Sequence, residues 1–165
     1  MNKELFAVTK NGQAVWLDSD STHAITHFTA DPLLSQHIKT ALGKLEAIES
    51  SIYTTIDFDA PIGYSDLVET NNMDEIVYAK RIGRDIFTRF TKSRQPIETN
   101  MLTIWIQQNP DTSYKLKSAW FGPKVPAFPG NEWEVPESKE FWKTHALAWG
   151  KQAIIEGTET TVCPW

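Results

Sequence analysis

The residues best suited to chemistry in this sequence are the cationic side chains of residues 80–94. This stretch, KRIGRDIFTRFTKSR, holds six basic residues and one acid, a local charge of +5, whereas the other 150 residues hold 10 basic and 20 acidic residues. Four of the six are arginines, whose planar guanidinium suits a phosphate or a carboxylate. The stretch therefore predicts a focused anion site. The plainer interpretation is a solvated strand edge, on which basic residues discourage aggregation.

A histidine and a serine outside this stretch have the side chains that an acid–base site needs. His145 lies four residues after Phe141 and four before Trp149, so on a helix its ring would be held between aromatic side chains. A histidine on an apolar face is also often a core residue. Ser118 offers a hydroxyl that can hydrogen-bond an anion.

Arginine, histidine and a hydroxyl suit one reaction in particular, the cleavage of RNA by its own 2′-hydroxyl. A base removes the proton of that hydroxyl, cations stabilise the charge on the phosphorane oxygens, and an acid protonates the leaving 5′-oxygen. This reaction needs neither a metal nor a cofactor, and we predict none. His23 and His27 are spaced as two metal ligands could be, but no nearby carboxylate cluster completes a site.

The N-terminal part of the chain predicts a hairpin, a helix and a strand. Residues 4–9 and 13–17 flank an Asn-Gly turn and predict the hairpin. Apolar residues recur at helical spacing over 32–49, which predicts an amphipathic helix that Asp31 caps. Residues 51–58 predict a strand or an extended segment.

The centre of the chain alternates with a period of two residues and predicts an α+β fold built on a central four-stranded antiparallel meander sheet. The predicted strands are 75–80, 85–91, 101–107 and 114–121. Ser118 lies on the last of them, and the arginines flank or occupy the first two, so all could converge on one face of a small sheet. Ser138 is the predicted cap of a C-terminal helix over 139 to about 149, and residues 151–165 predict a marginal tail.

Length and composition predict one globular domain, residues 1–165, in the cytoplasm. The chain carries a net charge of −5, 41% hydrophobic residues and a single cysteine, Cys163, so an internal disulfide is excluded. No apolar run approaches the roughly 20 residues of a membrane span, and we expect no membrane partner. The negative balance argues against a general nucleic-acid coat, and DNA is not expected as a partner.

Residues from about Asp66 to Gly150, roughly half the chain, resemble the small bacterial toxin-type ribonucleases of the barnase–EndoU–colicin–RelE superfamily. The stretches that carry the resemblance are VYAKRIGRDIFTRF at 77–90, YKLKSAWFGPKVPAFP at 114–129 and SKEFWKTHALAWG at 138–150. The order of predicted elements also fits, with a helical lead-in before a four-stranded antiparallel sheet. The chain departs from these toxins in being acidic, and its proline-rich loop and tail have no obvious counterpart.

The resemblance implies metal-independent RNA cleavage through a 2′,3′-cyclic phosphate, with RNA as substrate and an inhibitor protein as partner. The catalytic roles that it implies fall on Arg81, Arg84, Arg89, Ser118, His145 and His27. We expect the substrate to be bound by Lys80, Lys92, Arg94 and Trp120.

Two other classes of function fit the same residues. An acidic interaction protein of the immunity or antitoxin type would bind a basic partner through residues 1–79, which carry a net charge of −8, and would not need the arginines. A small-molecule or sugar-binding domain would build a pocket from Trp120, Trp133 and Trp142, with Arg89 holding an anion.

Overall fold

The computed structural model describes residues 3–21, 32–45 and 50–165, and these form an α+β structure dominated by strands. In chain order the strands are β1 (Glu4–Val8), β2 (Ala14–Leu17), β3 (Ile52–Asp57), β4 (Gly63–Ser65), β5 (Leu67–Glu69), β6 (Ile76–Lys80), β7 (Phe87–Thr91), β8 (Ile97–Thr99), β9 (Met101–Gln108), β10 (Tyr114–Phe121) and β11 (His145–Ala148). The helices are α1 (Pro32–Lys44) and α2 (Ser138–Thr144). In the described part of the chain, neither helix is long and apolar enough to cross a membrane.

The chain folds as two compact units. The first comprises the described residues of Met1–Gly63 together with Glu98–Lys124, and the second comprises Tyr64–Ile97 and Val125–Trp165. The short strands β4 and β8 lie where the chain passes from one unit to the other. The arginine-rich stretch and His145 belong to the second unit, and Ser118 belongs to the first.

The first unit is a five-stranded sheet with the strand order β1-β2-β10-β9-β3. The predicted N-terminal hairpin is confirmed as β1 and β2, and β9 and β10 form a second antiparallel pair. Helix α1 buries Leu34, Ile38 and Leu42, at the spacing from which the helix was predicted, in one hydrophobic cluster with the strands. The helix ends at Lys44, and the predicted cap Asp31 and residues 46–49 lie outside the described residues.

The second unit is a four-stranded mixed sheet with the strand order β5-β11-β7-β6. Strand β11 runs parallel to β7 and antiparallel to β5, whereas β6 and β7 form an antiparallel hairpin. Its core joins Val77, Ala79 and Phe90 to Leu147 and Trp149. The predicted marginal tail contacts this unit, since residues 154 and 160 form isolated bridges with Arg81 and Tyr78.

The predicted four-stranded meander is wrong, although both of its hairpins form. The first two of its strands lie in the sheet of the second unit and the last two in the sheet of the first unit. Alternation with a period of two residues indicates which side chains share a face of a strand, but it does not specify the neighbouring strand. These four strands therefore take their remaining neighbours from distant segments, β3 for β9, β2 for β10 and β11 for β7.

The predicted C-terminal helix over 139–149 is also corrected. Helix α2 ends at Thr144, and His145, in an extended conformation with φ −128° and ψ 150°, begins strand β11. Ser138 does not cap the helix; its Oγ accepts a hydrogen bond of 3.0 Å from the Val135 N–H, before the helix. Pairing on both edges of β11 outweighs the helical spacing of the aromatic residues.

Two glycines of the first unit give a matched test of its packing. A Cβ at Gly63 would lie 2.6 Å from two ring carbons of the buried Phe121, whereas a Cβ at Gly43 in helix α1 would meet no atom within 4 Å. We expect Gly63→Ala to lower the free energy of unfolding by about 1–3 kcal/mol, because the ring must shift. Gly43→Ala should raise it by about 0.5–1 kcal/mol. Urea unfolding measures both, and equal effects of the two substitutions would contradict the packing described here.

Candidate functional site

Arg81 and Arg84 stand at the two ends of the turn that joins β6 to β7. The Arg84 N–H donates to the Arg81 carbonyl over 3.1 Å, and Gly83 has φ +80°. A positive φ at the third position of a tight turn favours glycine, so the sequence Arg-Ile-Gly-Arg suits this turn. The turn therefore brings the backbones of the two arginines close together.

The Arg81 side chain is partly buried and held in place by its neighbours. Its Nε donates a 2.8 Å hydrogen bond to Oγ1 of Thr88, and its guanidinium carbon lies 5.4 Å from the centroid of the Phe128 ring. Burial, and after it the repulsion from Arg84, lowers the Arg81 pKa to about 9. Burial also lowers the pKa of Arg84. Among the described residues, no carboxylate forms an ion pair with Arg81 within 4.0 Å.

This environment favours an anion beside Arg81. A cation that has lost water without gaining a carboxylate is destabilised, and a bound anion would restore the lost interaction energy. Besides the Nε–H, which donates to Thr88 Oγ1, the guanidinium has further N–H groups that can donate to an anion. A cleft beside the start of β7 is lined by Asp85, Ile86, Phe87, Pro129, Gly130, Pro164 and Trp165, and neither Arg81 nor His145 lines it.

Arg89 lies on the opposite face of the same sheet. Arg81 reaches Thr88, and the adjacent Arg89 points the other way because successive side chains of a strand alternate. Only 8% of Arg89 is exposed, and its Nη1 donates 2.9 Å hydrogen bonds to Thr70 Oγ1 and to the His145 carbonyl. The expectation that these arginines converge on one face therefore fails for Arg89, which instead ties β7 to the start of β11.

His145 has a fixed ring orientation. Its ring stacks on Phe141 with a centroid distance of 4.0 Å and an interplanar angle of 4°. Nδ1 lies 3.1 Å from the Phe141 carbonyl oxygen and 3.0 Å from Thr144 Oγ1. A carbonyl only accepts hydrogen bonds, so the neutral ring carries its proton on Nδ1 and presents a lone pair at Nε2. In this tautomer Nε2 is the ring nitrogen that can accept a proton.

The alternation of strand β11 places His145 on the Arg81 face of the sheet. Leu147, two residues after His145, packs in the cluster that contains Ala79 and Phe90. Phe90 and Thr88 are likewise two residues apart on β7, so they share this face, to which Arg81 is bonded. One face of the second unit thus carries both the arginine of the turn and the oriented histidine.

The other cations that we expected to bind substrate have different surroundings. Arg94 forms a bidentate ion pair with Asp74, with Nε–Oδ1 at 2.8 Å and Nη2–Oδ2 at 3.1 Å, and this pair lowers the pKa of the Asp74 carboxyl. Lys80 lies 5.3 Å from the Phe87 ring centroid, and Lys92 lies 4.9 Å from that of Trp149. His27 lies outside the described residues.

Ser118 and Trp120 lie on β10 in the first unit, where they share one face of its sheet. Ser118 is 5% exposed, and within the described structure its buried Oγ has no hydrogen-bond partner. The Trp120 Nε1 donates to the Pro123 carbonyl over 3.1 Å. The expectation that Ser118 shares one sheet face with the arginines is wrong, because β10 belongs to a different sheet from β6 and β7. The catalytic role of Ser118 stays a prediction.

Sequence reasoning expected the Phe141 ring beside His145, although on a helix, and missed three other features of the candidate site. Thr88 fixes the Arg81 guanidinium, the Phe141 carbonyl oxygen lies within hydrogen-bond distance of His145 Nδ1, and Arg89 is a structural cation. Alternation along β7 would have separated Thr88 from Arg89, because neighbouring residues on a strand point to opposite faces. The bond between His145 and the Phe141 carbonyl had no signal in the sequence beyond the four-residue spacing.

Comparison with known proteins gives no match to this chain. No protein-family model, no curated protein and no solved structure matches it. The resemblance to toxin-type ribonucleases therefore depends on the residues quoted for it alone.

Proposed function

We propose that the protein is a metal-independent ribonuclease that cleaves RNA through a 2′,3′-cyclic phosphate. The observation that carries the proposal is the environment of Arg81, a partly buried guanidinium that is fixed by Thr88 and paired with no described carboxylate. Such a group is prepared for an anion whose charge grows during the reaction. The local charge of +5 over residues 80–94 gives an acidic chain one region that attracts a phosphate.

The chemistry assigns a role to each group. The 2′-hydroxyl oxygen attacks phosphorus and loses its proton to a base, the bond from phosphorus to the 5′-oxygen breaks, and that oxygen gains a proton from an acid. Arg81 and Arg84 stabilise the charge on the non-bridging oxygens. His145 Nε2, with its lone pair directed by the Nδ1 bond, serves in proton transfer. The 2′-hydroxyl is the nucleophile, so the reaction requires RNA.

The test uses a defined RNA oligonucleotide in excess EDTA, with wild type and His145→Gln purified identically. We expect the wild type to leave 2′,3′-cyclic phosphate ends and His145→Gln to be slower by about 10²- to 10⁴-fold. The matched control is His37→Gln, since His37 packs against Phe58 and Phe121 in the first unit and has no part in the reaction. A substrate with 2′-deoxyribose throughout should not be cleaved.

Two results would overturn the proposal. One is the absence of cleavage at high enzyme concentration with the protein folded; binding of a basic protein would then favour the acidic interaction protein. The other is cleavage that His145→Gln leaves unchanged, because it would point to a contaminating nuclease or to another site.

A further inference from the structure

The five-stranded sheet of the first unit carries its aromatic side chains on the face opposite helix α1. The core face holds Leu102, Ile104 and Ile106 of β9, which pack against α1. Trp105 lies between two of these residues in sequence and points to the other face, where Tyr53 is its cross-strand partner. The aromatic residues of that face are Trp16, Tyr53, Trp105 and Trp120, and all four are partly exposed.

Three of these rings form one continuous group. The Tyr53 centroid lies 5.9 Å from that of Trp105 and 5.9 Å from that of Trp120. The interplanar angles are 65° and 58°, so the rings do not stack on one another. We name Tyr53, Trp105 and Trp120 the aromatic face. Side chains that are large, partly exposed and rigidly mounted on strands are typical of surfaces on which flat rings stack.

Lysine side chains lie over these rings. The Lys124 Nζ is 4.2 Å from the Tyr53 centroid, and the Lys117 Nζ is 5.7 Å from that of Trp105. Within the described residues, no carboxylate forms an ion pair with Lys124 within 4.0 Å. The aromatic face therefore combines stacking surface with positive charge, which suits a flat ring attached to an anion.

Elsewhere on this face of the sheet, carboxylates lie close to the lysines or to other polar groups. Asp20 pairs with Lys115 and lies 4.0 Å from Lys117. Asp57, on the same face of β3 as Tyr53, accepts a hydrogen bond from Asn100. The positive charge beside the aromatic face thus comes chiefly from Lys124. Lys117 contributes less, because Asp20 also lies close to it.

An irregularity in β10 adds a polar group to this face. The register of β10 and β9 shifts between Leu116 and Ser118, so Lys117 and Ser118 both turn away from the core side. Ser118 is paired with Trp105 in the register, and its buried Oγ lacks a hydrogen-bond partner among the described residues. A buried hydroxyl without a hydrogen-bond partner is unfavourable. Because this hydroxyl lies beside the rings, we take it to indicate a ligand group that would supply the missing hydrogen bond.

We infer that the aromatic face binds single-stranded nucleic acid, with bases stacked on Tyr53, Trp105 and Trp120 and phosphates beside Lys117 and Lys124. Stacking on aromatic rings together with backbone neutralisation by lysine is the common mode of single-strand binding. A neutral sugar would also stack on tryptophan but would gain nothing from the lysines. This inference goes beyond the proposed cleavage chemistry, because it concerns a binding surface on the other unit.

The test measures fluorescence anisotropy with a 5′-labelled 2′-O-methyl-uridine 12-mer, which has no 2′-hydroxyl and is not cleaved. A dT 12-mer and a 12-base-pair duplex serve as further probes. We expect both single strands to bind, since stacking on aromatic rings does not depend on the sugar, and the duplex to bind much more weakly. Binding of the dT strand would correct the expectation, drawn from net charge, that DNA is no partner. Trp105→Leu and Tyr53→Leu should each weaken binding by about 5- to 100-fold.

Two further variants, one that removes a charge and one that removes a hydroxyl, separate an effect on binding from an effect on folding. Lys124→Gln should reduce the slope of log affinity against log salt by about 0.7, the value for one phosphate of a single strand. Ser118→Ala should weaken binding while the melting temperature stays equal or rises, because the unpartnered hydroxyl is removed. Trp133→Leu and Lys143→Gln, both exposed in the second unit, are the matched controls and should bind like the wild type.

The outcomes separate this inference from the proposed function. No binding of either single strand at tens of micromolar protein, or binding that the aromatic-face variants leave unchanged, overturns the inference even if RNA is cleaved. Equal affinity for a neutral glucan also overturns it, in favour of a sugar-binding face. Binding with the expected variant effects but no cleavage would sustain the inference and sink only the ribonuclease proposal.

Discussion

Replacing Arg81 by methionine is expected to lower the rate of RNA cleavage at least 100-fold while the free energy of unfolding stays the same or rises. Removing one preorganised donor to a developing oxyanion typically slows a reaction by about 10²- to 10³-fold. The fold gains because burial and Arg84 both disfavour the charged Arg81 side chain, whose pKa is about 9. Methionine keeps an apolar stem near Phe128. Thr88 loses one hydrogen-bond donor, which offsets part of the gain.

Initial rates on an oligonucleotide in EDTA, together with urea unfolding, measure both quantities. Arg81→Lys should recover only part of the activity, because an ammonium group lacks the planar fork of a guanidinium. Lys143→Met, at an exposed position of α2 beside Glu140, is the control and should leave both rate and stability close to wild type. A rate within threefold of wild type for Arg81→Met would remove Arg81 from the site. Lost activity accompanied by lost stability would make its role structural.

Local features of the fold were predictable from the sequence, and the arrangement of the sheets was not. Leu34, Ile38 and Leu42 repeat at helical spacing and become the buried face of α1. Short connectors and period-two patterns predicted the hairpins β6–β7 and β9–β10, because adjacent strands with short loops usually pair. The pattern is the same whichever sheet a hairpin joins, so the division into two sheets could not be deduced.

The C-terminal helix shows how one spacing can satisfy two structures. Phe141, His145 and Trp149 recur every four residues, which fits one side of a helix. The same spacing is even, so His145 and Trp149 also share a face of a strand, and that is what they do in β11 and directly after it. Pairing with β5 and β7 favours the strand over the helix, and no pattern within residues 141–149 predicts that pairing.

The cationic stretch of residues 80–94 divides into groups with different surroundings. Asp74 neutralises Arg94, and Arg89 is buried where it holds the His145 carbonyl. Arg81, at the turn, combines partial burial with no described carboxylate partner. Composition could locate the stretch, but only the register of the strands shows that Arg81 and Arg89 point to opposite faces.

Trp142 is expected to be the residue on which the second unit depends most for stability. It is 1% exposed, its ring stacks on Phe128 with centroids 3.8 Å apart, and its Nε1 donates to the Pro126 carbonyl over 3.1 Å. Trp142→Ala should lower the free energy of unfolding by about 3–5 kcal/mol, as large core truncations do. Trp142→Phe keeps a ring but loses the hydrogen bond, so its free energy of unfolding should lie between those of the wild type and Trp142→Ala.

Trp133, at 67% exposure, provides the contrast, and Trp133→Ala should change stability by less than about 0.5 kcal/mol. The pair of variants also tests the sugar-binding alternative, which places both tryptophans in one pocket. Substitution of a tryptophan that lines a pocket would lower ligand affinity more than stability, whereas substitution of a core tryptophan lowers mainly the free energy of unfolding. Helix α2 runs directly into β11, so loss of Trp142 should also displace His145 and reduce cleavage. Urea unfolding that finds Trp142→Ala as stable as Trp133→Ala would contradict the packing of α2.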